Sequence, residues 1–270
     1  MKEKSIIIGI NWEQNSTACL MIDGRIVGAI SEERFTRVKN DESYPKNAIE
    51  YLLKKNKIKS NQISNVCFIS NFWSPTYSLI NHYTNFSLKD YVKEQHEVWY
   101  KKIFLKRKVS ILKTFKKKVN FKQFPGKKFW KNYYQKLLNL DDHVSNKKIL
   151  KIGKEIRIKV AEKHLGIKGD KVKFIEHSFG HIAYAYCAGP NYMKKGYVAS
   201  LDAFGDFINY SLYLFNPEGR VIPGNSATYA KLSNDGVVHA SSLQARPLNP
   251  WPPVVAKTLP SISNIYIFES

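Results

Sequence analysis

The pair Asp23–Gly24, set between STACLMI (16–22) and RIVGAISE (25–32), constrains this chain more than any other local feature. Two residues of this kind between apolar, alternating runs close a tight antiparallel hairpin, because both must take a positive φ. KSIIIGIN (4–11) precedes the pair as a first strand. Pro45 then opens a helix through Leu53, with Ile49, Leu52 and Leu53 on one face. SNVCFIS (64–70) reads as a fourth strand, so the first 70 residues spell β-β-β-α-β.

The pattern begins again after the turn signal Gly169-Asp170. KVKFIE (171–176) is strand-like, and SFGHIAYAYCA (178–188) is a small-residue helix ended by Gly189-Pro190. GYVASLD (196–202) and NYSLYLF (209–215) are strands, and Asn216-Pro217-Glu218-Gly219 turns into a short strand at Arg220. Two β-β-β openings predict an α/β, ribonuclease H-like fold of the actin and sugar-kinase type, duplicated, with its second half incomplete. In that fold the two early hairpins face each other across a nucleotide cleft.

Between the halves lies a basic block. Of the 43 Lys and Arg in the chain, 20 fall within 101–160, against three acids, Asp141, Asp142 and Glu155. Aromatic and aliphatic residues interleave them near helical spacing, so about 87–165 is predicted as a mainly helical insertion, broken at Pro125-Gly126. The favoured expectation is aromatics on the core and lysines in solvent. The competing one is a phosphate-seeking surface for nucleic acid, anionic lipid or saccharide.

Beyond Gly224 the character changes. Residues 224–270 hold five of the 11 prolines and only Lys231, Arg246 and Lys257 as cations, and they read as an irregular tail. At 43% hydrophobic residues general disorder is excluded. No run approaches a membrane span, and the opening segment is too short for a signal-peptide core, so a cytoplasmic protein is expected. Cys19, Cys67 and Cys187 form neither a C-x-x-C pair nor an even set, which speaks against a disulfide framework or a cysteine zinc site.

Three local patterns could carry chemistry. In His177-Ser-Phe-Gly-His181 the histidines stand at i and i+4, one helical face, within reach of one metal ion; ordinary helix histidines fit equally well. Ser178 stands where a zincin has Glu, so a metalloprotease is disfavoured. Asp202-Ala-Phe-Gly205-Asp206 is a turn whose backbone could approach phosphate and whose carboxylates could hold a divalent ion, or a plain hairpin turn. The equivalent polar loop of the first half is Asn11–Thr17. After the third strand, Glu32-Glu33-Arg34-Phe35-Thr36-Arg37-Val38-Lys39-Asn40-Asp41 is either an internally paired loop or a set of cations aimed at an anionic substrate.

Together these pieces are recognisable. IIGIN…STACLMIDGRIVGAISEERFTRVKND…YPKNAIEYLL resembles the N-terminal signature of the O-carbamoyltransferases of the nodulation and antibiotic-tailoring type, and FIEHSFGHIAYAY…GYVASLDAFGDFINYSLY resembles that family's second signature. The resemblance covers about 5–55 and 172–222. It implies a family N-terminal domain over 1–223. In this family carbamoyl phosphate and ATP form carbamoyl adenylate in a C-terminal YrdC-like domain, and a hydroxyl of a small-molecule or saccharide acceptor then attacks it in the N-terminal domain. The resemblance further implies a metal ion (iron, zinc or manganese) held by His177 and His181 with a later Asp. Substrate and nucleotide contacts are expected from Asn15, Ser16, Arg34, Lys39, Asp202, Gly205 and Asp206; no catalytic residue is assigned.

The departures shape the rest of the expectation. The family's His-Asp pair is Gln14-Asn15 here, the second His of its His-His is Ser178, and Ala203 replaces a Gly. No counterpart of the later ligand Asp or of the YrdC-like domain is found. The expectation is therefore a truncated family member, inactive alone, whose missing domain comes in trans. The alternative is a non-catalytic protein using 101–160 for nucleic acid or a partner; as partner of the carbamoyltransferase, nucleic acid is not expected. A phosphoryl-transferring ATPase on the same fold is disfavoured by EERFTR.

Overall fold

The computed structural model describes residues 4–82, 86–122, 124–140, 147–189, 194–206, 208–215, 221–222, 230–232, 238–240 and 265–269. The chain divides into two compact units, Met1–Phe174 and Ile175–Ser270. The strands after 175 hydrogen-bond among themselves and form sheets of their own.

The first unit opens with β1 (Ile6–Asn11), β2 (Thr17–Ile22) and β3 (Arg25–Ser31) as an antiparallel meander. Asp23 and Gly24 take φ of 49° and 78°, so the expected two-residue turn is present, with Ile22 opposite Arg25. A one-turn helix α1 (Glu33–Thr36) and α2 (Lys46–Lys55) lead to β4 (Asn65–Ile69), which lies parallel to β1. The helical segment follows as α3 (Pro75–His82), α4 (Leu88–Glu94), α5 (Lys101–Ile103), α6 (Ile111–Thr114), α7 (Lys127–Leu138) and α8 (Lys147–Leu165). β5 (Val172–Ile175) then completes a five-stranded mixed sheet of order β3-β2-β1-β4-β5.

Alternation places Ile6, Ile8 and Ile10 of β1 in the core with Ala18 and Leu20 of β2 and Val66 and Phe68 of β4. Ala48, Ile49, Leu52 and Leu53 of α2 cover this face, and each fully buried aliphatic side chain contributes about 1.5–3 kcal/mol. The approach is close: a Cβ at Gly28 would lie 2.8 Å from Leu52 Cδ2. The helical segment shares the core, through Ile111, Leu112, Phe115, Trp130, Tyr133, Leu137, Ile156 and Val160, so it is an insertion and not a separate body.

Two polar groups bind α8 to the sheet side. Arg157 is buried; its Nη1 and Nη2 donate to the Ser70 and Asn71 carbonyls, both at 2.7 Å, while its Cζ lies 4.5 Å from the Phe174 ring centre. His164 bridges Tyr44 and α2: its Nδ1 is 3.0 Å from the Tyr44 hydroxyl and its Nε2 is 3.2 Å from Glu50 Oε1. Burial pushes the His164 pKa down, partly offset by Glu50, and burial raises that of Tyr44.

The second unit contains α9 (His177–Ala188), β6 (Gly196–Gly205), β7 (Ile208–Phe215), β8 (Val221–Ile222), β9 (Ala230–Leu232), β10 (Val238–Ala240) and β11 (Ile265–Glu269). Ile182, Ala185 and Tyr186 of α9 pack on Val198, Tyr213 and Phe215, with Tyr186 and Phe215 stacked at 4.1 Å. β6, β7 and β8 form an antiparallel meander, and β11 lies parallel to β6, giving the order β11-β6-β7-β8. Each sheet thus has a three-strand meander whose first strand takes a later strand in parallel. The sequence predicts only an irregular tail after 224. Within that stretch β9 pairs with β10 and β11 pairs with β6; its other residues lie outside the described ones.

Candidate functional site

Each unit carries one constellation. In the first, the segment after β3 is stitched to the β1–β2 loop. The Ser16 N–H donates to the Asp41 carbonyl at 2.7 Å, and the Glu32 N–H donates to the Ser16 carbonyl at 2.9 Å. Asp41 is buried and accepts from the Thr36 hydroxyl and from the Ser43 N–H. Glu32, also buried, reaches forward to cap α2. Its Oε1 accepts from the Asn47 N–H at 3.1 Å and side-chain amide at 2.6 Å, and its Oε2 from the Ala48 N–H at 2.8 Å. The first Glu of the EERF run is thus spent on structure.

What these bonds hold in place is an open pocket of about 600 Å³ lined by Asn15, Ser31, Glu33, Arg37, Lys39 and Asn40. Asn15, Arg37 and Asn40 have φ of 58°, 60° and 56°, a left-handed backbone that costs a non-glycine residue roughly 1–2 kcal/mol. Arg37 ends α1, its N–H donating to the Glu33 carbonyl at 2.9 Å, and the Asn40 N–H donates to Glu33 Oε2 at 3.1 Å. Two cations suit a phosphate or other anion. The two carboxamides and the carboxylate suit a group that both donates and accepts hydrogen bonds, as a carbamoyl group does.

The expected residues divide accordingly. Asn15 and Lys39 line the pocket. Arg34 is exposed on α1 but does not line it; Arg37, one helical turn later, does. Ser16 is fully buried, and its hydroxyl donates to the Asn11 carbonyl at 3.2 Å, so in this conformation it offers no group to the pocket.

In the second unit, His177 opens α9 and His181 follows one turn on. Their Nε2 atoms stand 2.9 Å apart. That is a hydrogen-bond distance between the two imidazoles, and it lies at the short end of the roughly 2.9–3.4 Å that separates two nitrogens bound about 2.0–2.1 Å from one ion. Asp206 Oδ2 accepts from the His177 N–H at 2.9 Å, tying the β6–β7 turn to the start of the helix. Glu176 accepts from the Tyr213 hydroxyl at 2.9 Å and stands 3.4 Å from the Ser178 hydroxyl. The expected loop Asp202–Asp206 is shorter than its sequence suggests. β6 continues through Gly205, which pairs with Ile208, so Asp202 and Gly205 lie in the strand and the turn begins at Asp206, φ 48°. The side chain of Asp202 lies outside the described residues. Among the described residues, no cluster of three or more His, Cys, Asp or Glu is placed to hold a metal ion.

The family described as carbamoyltransferase N-terminus matches residues 6–244. Curated relatives include the uncharacterized protein sll1178 of Synechocystis sp., 41% identical over 63 residues, 23% of this chain and 10% of that protein. The uncharacterized protein MJ1051 of Methanocaldococcus jannaschii is 39% identical over 61 residues, 23% of this chain and 12% of that protein. The chain therefore matches only about a tenth of the length of these relatives. Among solved structures, an uncharacterized protein from Pseudomonas aeruginosa with similarity to peptidase YEAZ covers 81% of this chain and 63% of its own, at 9% identity. Its TM-score of 0.33 is too low to bear on the fold.

Proposed function

The chain belongs to the carbamoyltransferase N-terminal family, and from that premise we propose that it houses the acceptor-side step of O-carbamoyl transfer. A hydroxyl of a small-molecule or saccharide acceptor attacks the carbonyl of carbamoyl adenylate; the C–O bond to the acceptor forms, the acyl-phosphate bond breaks, and AMP leaves. The adenylate would come from ATP and carbamoyl phosphate in a YrdC-like domain. The observation that carries this reading is the family match over 6–244. The shared order of the two sheets supports the finer reading of the fold as duplicated and ribonuclease H-like.

On this reading Arg37 and Lys39 hold the adenylate's phosphate, and Asn15, Asn40 and Glu33 orient the carbamoyl group by its amide hydrogens and carbonyl oxygen. His177 and His181 would hold the family's metal ion, and the bound ion would supply Lewis-acid polarisation. Asp206 keeps the first histidine's backbone at the head of α9.

The test is product analysis. The chain is incubated with ATP, carbamoyl phosphate, a YrdC-like domain and a panel of hydroxylated acceptors. AMP, pyrophosphate and a carbamoylated acceptor are expected, with Arg37→Ala and Lys39→Ala each lowering turnover by about tenfold or more. Release of ADP would instead assign phosphoryl transfer. Metal content is read separately by elemental analysis: His177→Ala and His181→Ala should each abolish it, and stoichiometric metal unaffected by either would refute the ligand assignment.

A further inference from the structure

The helix from Leu88 to Ile103 is turned inside out. Its buried positions include two carboxylates, Asp90 and Glu94, together with Val98. Both acids have partners on the inner side. Asp90 accepts from Lys118 at 2.8 Å and from the Ser87 hydroxyl at 2.7 Å, and Glu94 accepts from the Trp99 indole at 2.9 Å. These donors hold the Asp90 carboxyl well below the usual carboxylate range, the Lys118 hydrogen bond most of all. Its exposed positions carry many apolar side chains, with the polar Gln95 and His96 among them: Leu88, Tyr91, Val92, Tyr100 and Ile103, and Phe104 just beyond its end, are all exposed, Leu88 by 80% and Phe104 by 71%.

These six side chains would not share a face on a regular α-helix, where Leu88 and Tyr100 would stand about 120° apart. The segment Gln95–Tyr100 is a π-helix. Its i→i+5 bonding turns the chain by roughly 20° less per residue, about 120° over the six residues. That lag brings Tyr100, Ile103 and Phe104 round to the stripe begun by Leu88, Tyr91 and Val92. A π-turn is a poorer conformation than the α-helix it interrupts, and here its effect is to align an apolar face directed at solvent.

Lys89, Lys93, Lys106, Arg107 and Lys108 are exposed beside the stripe. Glu97 pairs with Lys101, and the other two acids of the helix face inward. The outer face is therefore rich in apolar side chains, interrupted by Gln95 and His96, with exposed cations near it. No described helix is long and apolar enough to cross a membrane. We propose that this face docks the protein in the plane of an anionic lipid bilayer, with the six apolar side chains entering the acyl boundary and the cations meeting lipid phosphates. Three of the six, Leu88, Val92 and Ile103, are aliphatic and offer no ring on which a base could stack, and Tyr100 and Phe104 stack on each other, which favours lipid over single-stranded nucleic acid. Inward burial of the helix's own acids removes the charges that would oppose an anionic surface.

The test is co-sedimentation of the full chain with vesicles of phosphatidylcholine alone and with roughly a third phosphatidylglycerol. Partitioning is expected to be at least about tenfold stronger on the anionic vesicles. The variant Leu88→Ser/Ile103→Ser/Phe104→Ser should lose at least about tenfold of that binding with an unchanged circular dichroism spectrum, since all three side chains are exposed. Lys106→Glu/Lys108→Glu should lose it as well, and more so at low salt. Three results would overturn the assignment: no binding to either vesicle, equal binding by the serine variant and the parent, or a solution dimer that the serine variant dissolves while vesicle binding is absent. Binding of single-stranded RNA that displaces the parent from anionic vesicles and is lost in the serine variant would move the face to nucleic acid and overturn it too.

Discussion

Removal of the Glu32 carboxylate tests the architecture that presents the candidate pocket. Glu32→Ala deletes three hydrogen bonds, to the Asn47 N–H, the Asn47 side-chain amide and the Ala48 N–H. Loss of a side-chain N-cap costs about 1 kcal/mol, and a buried charge at a helix N-terminus adds up to about 2 kcal/mol. The Ala48 N–H is left buried and unpaired, which adds about 1–3 kcal/mol. These contributions overlap, so the expected total is about 3–5 kcal/mol. In urea unfolding followed by tryptophan fluorescence, which reports on the buried Trp12, Trp73 and Trp130, the midpoint should fall by about 2 M with little change in slope. Glu32→Gln keeps the shape and one carbonyl acceptor but turns an NH2 donor toward N–H donors, and should lose about half as much. A loss under about 1 kcal/mol for alanine, or a glutamine variant as stable as the parent, would show that the carboxylate does not fasten α2 to the segment after β3.

Three further outcomes follow from the first unit. Gly153→Ala raises helix propensity by about 1 kcal/mol, yet the new Cβ would meet the Trp73 carbonyl oxygen at 2.6 Å; thermal unfolding should show a net loss of about 1–3 kcal/mol, opposite in sign to the propensity change. Arg157→Lys keeps the charge but loses the planar fork onto the Ser70 and Asn71 carbonyls and the face on Phe174, and should cost about 3 kcal/mol in denaturant titration. His164 has a folded pKa below its ordinary 6.5, so the unfolded chain binds the proton first. Its contribution is therefore fully present above about pH 6.5 and declines as pH falls below it, by at most about 1.4 kcal/mol per unit, and a His164→Gln variant should flatten that stretch of the stability profile measured between pH 5 and 7.

Legibility from the sequence tracked how local the cause was. The meander was readable because Asp23-Gly24 and the alternation of β1 and β2 act over a few residues. The face of α2 was readable from its spacing, as was the adjacency of His177 and His181. Arg37 was not distinguishable from Arg34, because the difference is one left-handed backbone at the end of a single-turn helix, and nothing in an arginine announces a positive φ. Asn15 and Asn40, which tolerate that conformation, were the better signal. Glu32 looked like one charge in a charged loop because the amides it caps lie 15 and 16 residues ahead. Ser16 looked like a polar loop residue, but Asp41 and Glu32 draw it inward. The outward apolar stripe was hidden for the opposite reason: its acids turn inward only because Lys118 and Trp99 are there to receive them, and periodicity alone assigns apolar residues to the interior.

The tight pairing of β1, β2 and β3 also sets an order of events in biosynthesis. Gly9 meets Cys19, and Cys19 meets Ala29, so each contact closes a loop of only ten residues. Ile7 meets Asn65 only after 58 residues, and the helical insertion must be placed before β5 can join. Short loops close in well under a microsecond, hairpins in microseconds, and synthesis adds only about 5–20 residues each second. As the nascent chain leaves the ribosome, the meander can therefore sample its native pairing while the lysine-rich helices are still being made. It then waits, with the apolar face of β1 and β2 uncovered, for α2 to emerge and cover it.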